Sequence, residues 1–299
     1  MALDTPHTHR NLPAVLAALT TGIMISAAVL APWIAPHDPF NLGSLDLNDA
    51  FISPLWTEQG NAAYPLGTDD QGRDMLSAIL YGMRISLLVG FASVLMAAIL
   101  GVGLGILAGY IGGWVDGVVM RLADVQLSFP PVLIALLIDG IARTALPGEL
   151  RAGASVHVVV LAIALSFWVQ YARTVRGLTM VERSREYVQA ARVIGVHPVR
   201  IALLHILPNV LGPVLVIANI NLALAIVTEA TLSFLGLGVP PTQPSLGTLI
   251  RTGNDFLFSG EWWIVVFPGA TLTILVLAVN LLGDWLRDEL NPKSRCDRF

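Results

Sequence analysis

Two carboxylates sit inside stretches that are otherwise apolar: Glu229 within Val210 to Leu235, and Asp124 near the start of Val118 to Ile138. A charge at such a depth is costly and marks a functional site by default, here a polar path for a solute. The alternative is a carboxylate bonded to a neighbouring helix or a capping group. The alternative is favoured, because Asp124 lies one helical turn from Arg121, a local counter-charge. Other chemistry finds no residues to carry it. The spacing G-x-x-x-x-G-K-[ST], whose lysine reaches nucleotide phosphates, is absent, and the one lysine is Lys293, near the C-terminus. H-E-x-x-H and G-x-S-x-G are absent too. His157 and His205 are isolated, and His7 and His9 are two histidines in a tail. A single cysteine, Cys296, neither staples a fold nor completes a zinc spacing. The chain is expected to hold no metal or cofactor of its own and to catalyse nothing.

The elements around these carboxylates are membrane spans. Of the 299 residues, 55% are hydrophobic and only 13% charged, against about 25% charged in a soluble domain. Mean hydropathy is +0.71 and net charge is −4, which removes any electrostatic basis for binding nucleic acid. A helix needs about 20 apolar residues to cross the hydrocarbon core. Four stretches without charge meet this: Asn11 to His37, Ile85 to Val115, Ala152 to Ala172 and Trp262 to Gly283. The two carboxylate-bearing stretches make six. Leu12 to Ile34 is too long for a signal-peptide core and reads as a retained span.

Basic residues orient the bundle. Arg173, Arg176, Arg183, Arg185, Arg192 and Arg200 fall between the fourth and fifth spans. With Arg10, Arg287, Lys293, Arg295 and Arg298 they share one side, which the positive-inside rule makes cytoplasmic, both termini included. Arg73, Arg84, Arg143, Arg151 and Arg251 fall opposite. The first segment on that side, Ala35 to Met83, is long and acidic. Gly101, Gly105 and Gly109, spaced by four, put three glycines on one helix face and permit close approach of another helix. Pro130-Pro131, Pro213 and Pro268 are expected to bend their helices. Trp262 and Trp263, at the edge of the last span, suit an interfacial aromatic belt.

The loop from Arg173 to Pro208 is the most informative segment. Residues 184–194 read as a short helix, Gly195 as the residue after its end where φ must be positive, and Pro198 as the first turn of a second helix. Pro208 stops the helical pattern or bends it into the next span. Tyr187, Val188, Val193, Ile194 and Val196 are apolar among arginines, and Ala190 and Ala191 are small. Such a knob is either a docking surface or packs on the chain's own bundle, and the residues alone do not choose.

The pattern Glu186-x-x-x-Ala190-Ala191-x-x-x-Gly195, closing with Leu207-Pro208, resembles the EAA loop of ABC importer permeases, although His205 stands where the family often has Ile. Pro65-Leu-Gly-Thr-Asp69-Asp-Gln-Gly-Arg73-Asp74-Met-Leu-Ser77 and Glu229-Ala-Thr-Leu-Ser-Phe-Leu-Gly-Leu-Gly238 are similar to signatures of its dipeptide/oligopeptide/nickel branch, with Leu246 where that branch usually has Trp. The resemblance runs from about Pro36 to Leu286. It implies an all-α, six-span type I importer permease in the bacterial inner membrane. The expected division is an N-terminal part (1–83), a five-helix core (84–286) carrying the coupling loop 173–208, and a C-terminal tail (287–299). It also implies a homologous second permease, two ATPase subunits holding ATP and Mg²⁺, and an extracytoplasmic binding protein delivering dipeptides, oligopeptides or a related solute. Glu186, Ala190, Ala191, Gly195, Val196, His197 and Pro198 would dock in the ATPase. The competing class, an ion- or proton-coupled secondary transporter, needs relay residues at the midplane and paired broken repeats, and only Glu229 offers itself. An intramembrane hydrolase lacks a nucleophile–base pair.

Overall fold

The computed structural model describes residues 8–41, 45–145, 147–240 and 243–290. His7, Pro241, Thr242, Lys293, Arg295, Cys296 and Arg298 lie outside the described residues, as do the side chains of His9, Arg10, Arg143, Arg151 and Arg287. In chain order the helices are α1 (Thr8–Val29), α2 (Ala31–Ile34), α3 (Met75–Ile111), α4 (Gly113–Leu127), α5 (Pro131–Ala145), α6 (Gly148–Glu182), α7 (Glu186–Val193), α8 (Pro198–Ile201), α9 (Leu207–Phe234), α10 (Leu246–Phe256) and α11 (Trp263–Leu290). A five-residue π-helical segment, Ala202–Ile206, joins α8 to α9. Among the described residues, extended pairing is limited to one bridge, Thr68 with Asp74.

Four helical stretches are long and apolar enough to cross a membrane: Met75–Ile111, Ala154–Glu182, Pro198–Phe234 and Trp263–Gly283. A fifth crossing exists if α4 and α5 count as one span, and α1 adds the shorter apolar stretch Val15–Val29. The expected order of spans is therefore present, with a count of six that depends on those two. Proline chemistry explains the broken one. Residues before Pro130 and Pro131 are pushed out of the α region, so α4 ends at Leu127 and α5 restarts with Pro131 at its first position, turned by 97°. The Pro130-Pro131 pair breaks the helix rather than bending it. Pro213 and Pro268 lie within continuous helices.

Two expected boundaries also move. α3 starts at Met75, well before Arg84, and α6 runs on past Arg173 to Glu182, so the loop proper is only Arg183 to Ile206. The glycine face on α3 meets α6. A Cβ added at Gly101, Gly105 or Gly109 would stand 2.4, 2.7 and 2.7 Å from the carbonyl oxygens of Trp168, Ala172 and Arg176. Backbone therefore packs on backbone along this seam. Gly105→Leu must push α6 away and should cost about 1–3 kcal/mol, the usual range for an overpacked core. Gly103, whose Cβ would meet nothing within 4 Å, is the control. Thermal melts in detergent should separate Gly105→Leu from Gly103→Leu; equal melting temperatures would refute the seam.

The segment before α3 folds into a cap on the end of the bundle remote from α7. Asp74 caps α3, accepting from the Leu76 and Ser77 amides at 3.3 and 3.0 Å, and Ser77 Oγ donates to it at 2.5 Å. Asp69, fully buried, accepts from Arg73 Nε at 2.6 Å and from the Arg73 and Gln71 amides at 2.9 Å each. Trp263 is only 6% exposed and its indole N–H donates to the Thr68 carbonyl at 3.0 Å. That corrects the belt assignment for this residue: a buried indole needs an acceptor, and the cap supplies one. Trp262 is exposed and packs edge-on against Phe267.

Candidate coupling site

α7 is short but strongly two-faced. Val188 is fully buried and Ala191 nearly so, and Ile201 of α8 and Ile206 join them in the core that α3, α6 and α9 share. The opposite side carries Val193 at 89% exposure and Ile194 at 80%. The knob thus divides: half anchors the loop to the bundle and half is presented outward. Glu186, Ala190, His197 and Pro198 are exposed and Val196 is half-buried.

The turn between α7 and α8 is set by hydrogen bonding. Gly195 has φ +84°, its amide donates to the Arg192 carbonyl at 3.0 Å, and the Val196 amide donates to the Ala191 carbonyl at 3.0 Å. These two bonds form a Schellman ending, which places a left-handed residue where glycine is cheapest. His197 then caps α8, its Nδ1 accepting from the Val199 amide at 3.4 Å, and Pro198 fills the first position. Pro208 has no N–H to give to the Leu204 carbonyl and its ring crowds that oxygen, so the preceding turn widens into the π segment and the Leu207 amide reaches back to Ala202.

Five side chains whose contacts pattern reading did not assign lock the loop to the bundle. Arg183 Nη1 donates to the carbonyls of Gly109 and Tyr110 at 3.1 and 3.2 Å, satisfying orphan acceptors at the end of α3. Arg192 stands 5.0 Å over the Tyr110 ring. Tyr187 Oη donates to the Glu182 carboxylate, and Asn209 Nδ2 donates to Tyr187 Oη at 3.0 Å. Burial, then the Glu182 carboxylate, push the Tyr187 phenol above its ordinary pKa, so it remains a donor at neutral pH. No spacing rule links residues so far apart in sequence.

The two intramembrane carboxylates take different positions. Glu229 is fully buried, accepting from Ser86 Oγ of α3 and Ser233 Oγ of its own helix, both at 2.7 Å. Those hydroxyls accept in turn from the Leu246 and Val239 amides, both at 3.3 Å. The network ties α3, α9 and the start of α10 and leaves Glu229 no exposed surface in this conformation. Asp124 is exposed and pairs with Arg173 of α6, not with Arg121. The expected partner is corrected because α4 lies antiparallel along α6, where Arg176 also holds Asp116.

This architecture has relatives. The family described as binding-protein-dependent transport system inner membrane component matches residues 101–295. The di/tripeptide transport system permease protein DppC of Pseudomonas aeruginosa is 39% identical over 91% of this chain and 86% of its own length. The dipeptide transport system permease proteins DppC of Haemophilus influenzae and Escherichia coli K12 are 39% and 41% identical, each over 96% of this chain and 92% and 91% of their own. Among solved structures, an inward-facing MetNI methionine ABC transporter aligns at TM-score 0.57 and 18% identity, over 73% of this chain and 98% of that one. A second crystal form gives 0.55 and 19% with the same coverage. At that identity the likeness concerns the fold, which is the type I permease fold. The chain therefore belongs to the binding-protein-dependent transport system inner membrane components, and it is a multi-pass inner-membrane permease subunit of an ABC importer.

Proposed function

We propose that this subunit forms half of a translocation path for dipeptides and related short peptides, with a homologous permease as the other half. An extracytoplasmic binding protein delivers the solute to the capped end, and two ATPase subunits, which carry ATP and Mg²⁺, receive the α7–α8 surfaces. The cap formed by residues 45–74 faces outward, and α7 and both termini lie in the cytoplasm. The expected start of the C-terminal tail at 287 falls inside α11, which runs to Leu290, and 291–299 lie outside the described residues.

The observation that carries the docking assignment is the adjacent pair Val193 and Ile194, both more than three quarters exposed at the tip of a rigidly fastened turn. Apolar side chains displayed this way mark an interaction surface. The peptide assignment is supported by 39–41% identity across nearly the whole chain to permeases named for dipeptide transport. ATP binding would draw the coupling surfaces together and favour one state of the path, and hydrolysis would release it, provided that the partners bind the two states with different affinity.

Gentle purification from native membranes through a tag on this chain tests the reading. A second permease, ATPase subunits and a binding protein should be recovered, and the binding protein should release short peptides. Recovery of this chain alone, transporting without an ATPase, would refute the importer mechanism. Recovery of the full complex with a non-peptide ligand would overturn the solute alone.

A further inference from the structure

Val188 and Ala191 anchor α7 in the shared core by apolar packing, which is non-directional. Directional links are few. Gln189 Nε2 donates to the Arg183 carbonyl at 2.9 Å, which ties α7 only to the adjacent linker. Arg192 reaches the last turn of α3. Tyr187 alone bridges two membrane helices: its single proton goes to Glu182 in the last turn of α6, and its oxygen receives the Asn209 amide from the first turn of α9. With that proton committed, the 3.4 Å contact to the His205 carbonyl adds no second donation. Asn209 Nδ2 itself reaches His205 O at 2.7 Å, so the same group spans the π segment.

We propose that Tyr187 is the positioning residue that converts displacement of α7 into concerted movement of α6 and α9, its hydroxyl being the joint of the three elements. The proposal rests on the reading of α7–α8 as the ATPase-coupling surface. α6 and α9 both pack against α3, and their ends at this face are not hydrogen-bonded to each other by any other side chain among the described residues. Beyond the covalent linkers and the shared apolar core, a pull on α7 therefore reaches both spans through one side-chain oxygen. The π segment, which lies between α8 and α9, is a place where the chain can take up the change in winding.

The test uses the complete complex in proteoliposomes, with a labelled dipeptide as probe. Tyr187→Phe keeps the ring and removes the joint. We expect unchanged subunit stoichiometry and basal ATPase rate, with dipeptide taken up per ATP hydrolysed falling about tenfold, as befits a lost hydrogen bond to a charged group. Glu182→Leu should reproduce the loss, and the Tyr187→Phe/Glu182→Leu double variant should add little to it. Hydrogen exchange on the complex without nucleotide gives a second readout: Tyr187→Phe should speed amides around 180–183 and 205–210 and leave those of α10 unchanged. Full coupling in Tyr187→Phe would overturn the proposal, and so would loss of ATPase subunits from the complex, which would make Tyr187 a docking residue. If the wild-type complex itself fails to couple ATP to uptake, the coupling-surface reading falls, and unchanged exchange at both helix ends would then refute the joint.

Discussion

Asp69→Ala should lower the stability of the folded protein by about 3 kcal/mol, the range expected when one member of a buried ion pair is removed. The carboxylate has no exposed surface, and the Arg73 side chain beside it is 5% exposed. Three donors point at Asp69: Arg73 Nε and the amides of Arg73 and Gln71. Alanine leaves a guanidinium that has lost its adjacent negative charge and two turn amides that have lost their acceptor. The damage spreads because the turn abuts Asp74, the cap of α3, and Thr68, which holds the Trp263 indole. Melting in detergent and limited proteolysis within residues 45–74 would register it. Asp70→Asn is the contrasting variant. Burial first, and then the neighbouring Asp69, raise the Asp70 pKa, so the ionised form costs stability in the fold. That cost is absent below the ordinary carboxylate range and appears as pH rises through the raised pKa. Asparagine should therefore raise the melting temperature at neutral pH and give no gain in acid. A stable Asp69→Ala protein with an intact cap would show that the motif serves something other than the fold.

How much of this was legible in the sequence depended on the range of the interaction. Gly195 and Pro198 announce a helix ending and a helix start through backbone preferences that need no partner, and both stand where expected. The i, i+4 glycines of α3 likewise advertise a seam, because absence of a side chain is a local property with one obvious use. Asp124 shows the limit. Its nearest charge in sequence is Arg121, yet Arg173 holds it, because antiparallel packing of α4 on α6 brings a guanidinium from 49 residues away. Trp263 obeyed tertiary packing over the aromatic-belt tendency, since the cap offered its indole a carbonyl. The prolines at 130 and 131 forecast a bend, whereas the helix breaks there and restarts at 97°. The Tyr187 joint was invisible for a similar reason: a tyrosine in an apolar pattern reads as a ring, and only the fold says where its hydroxyl goes.

Gly195→Asp should leave the protein folded in the membrane and abolish ATP-driven uptake. The residue sits at φ +84°, which costs an L-residue roughly 1–2 kcal/mol, toward the low end for aspartate because its short side chain can bond locally. The Schellman bonds of the turn use backbone atoms and survive the substitution. Apart from its two chain neighbours, no described residue comes within 4 Å of the added Cβ, so the carboxylate enters open space. It stands next to Ile194 in the turn assigned to the ATPase, where a desolvated charge without a partner costs far more than it does in solvent. Gly195→Ala carries most of the backbone strain without the charge and should retain much of the uptake. The pair thus separates strain from blocked docking, with membrane abundance, co-purified ATPase and dipeptide uptake as the measured quantities. Equal loss in both variants would assign the effect to the turn itself. Normal uptake by Gly195→Asp would remove α7–α8 from the energy-coupling path, and with it the reason for a permease to hold two exposed aliphatic side chains in water.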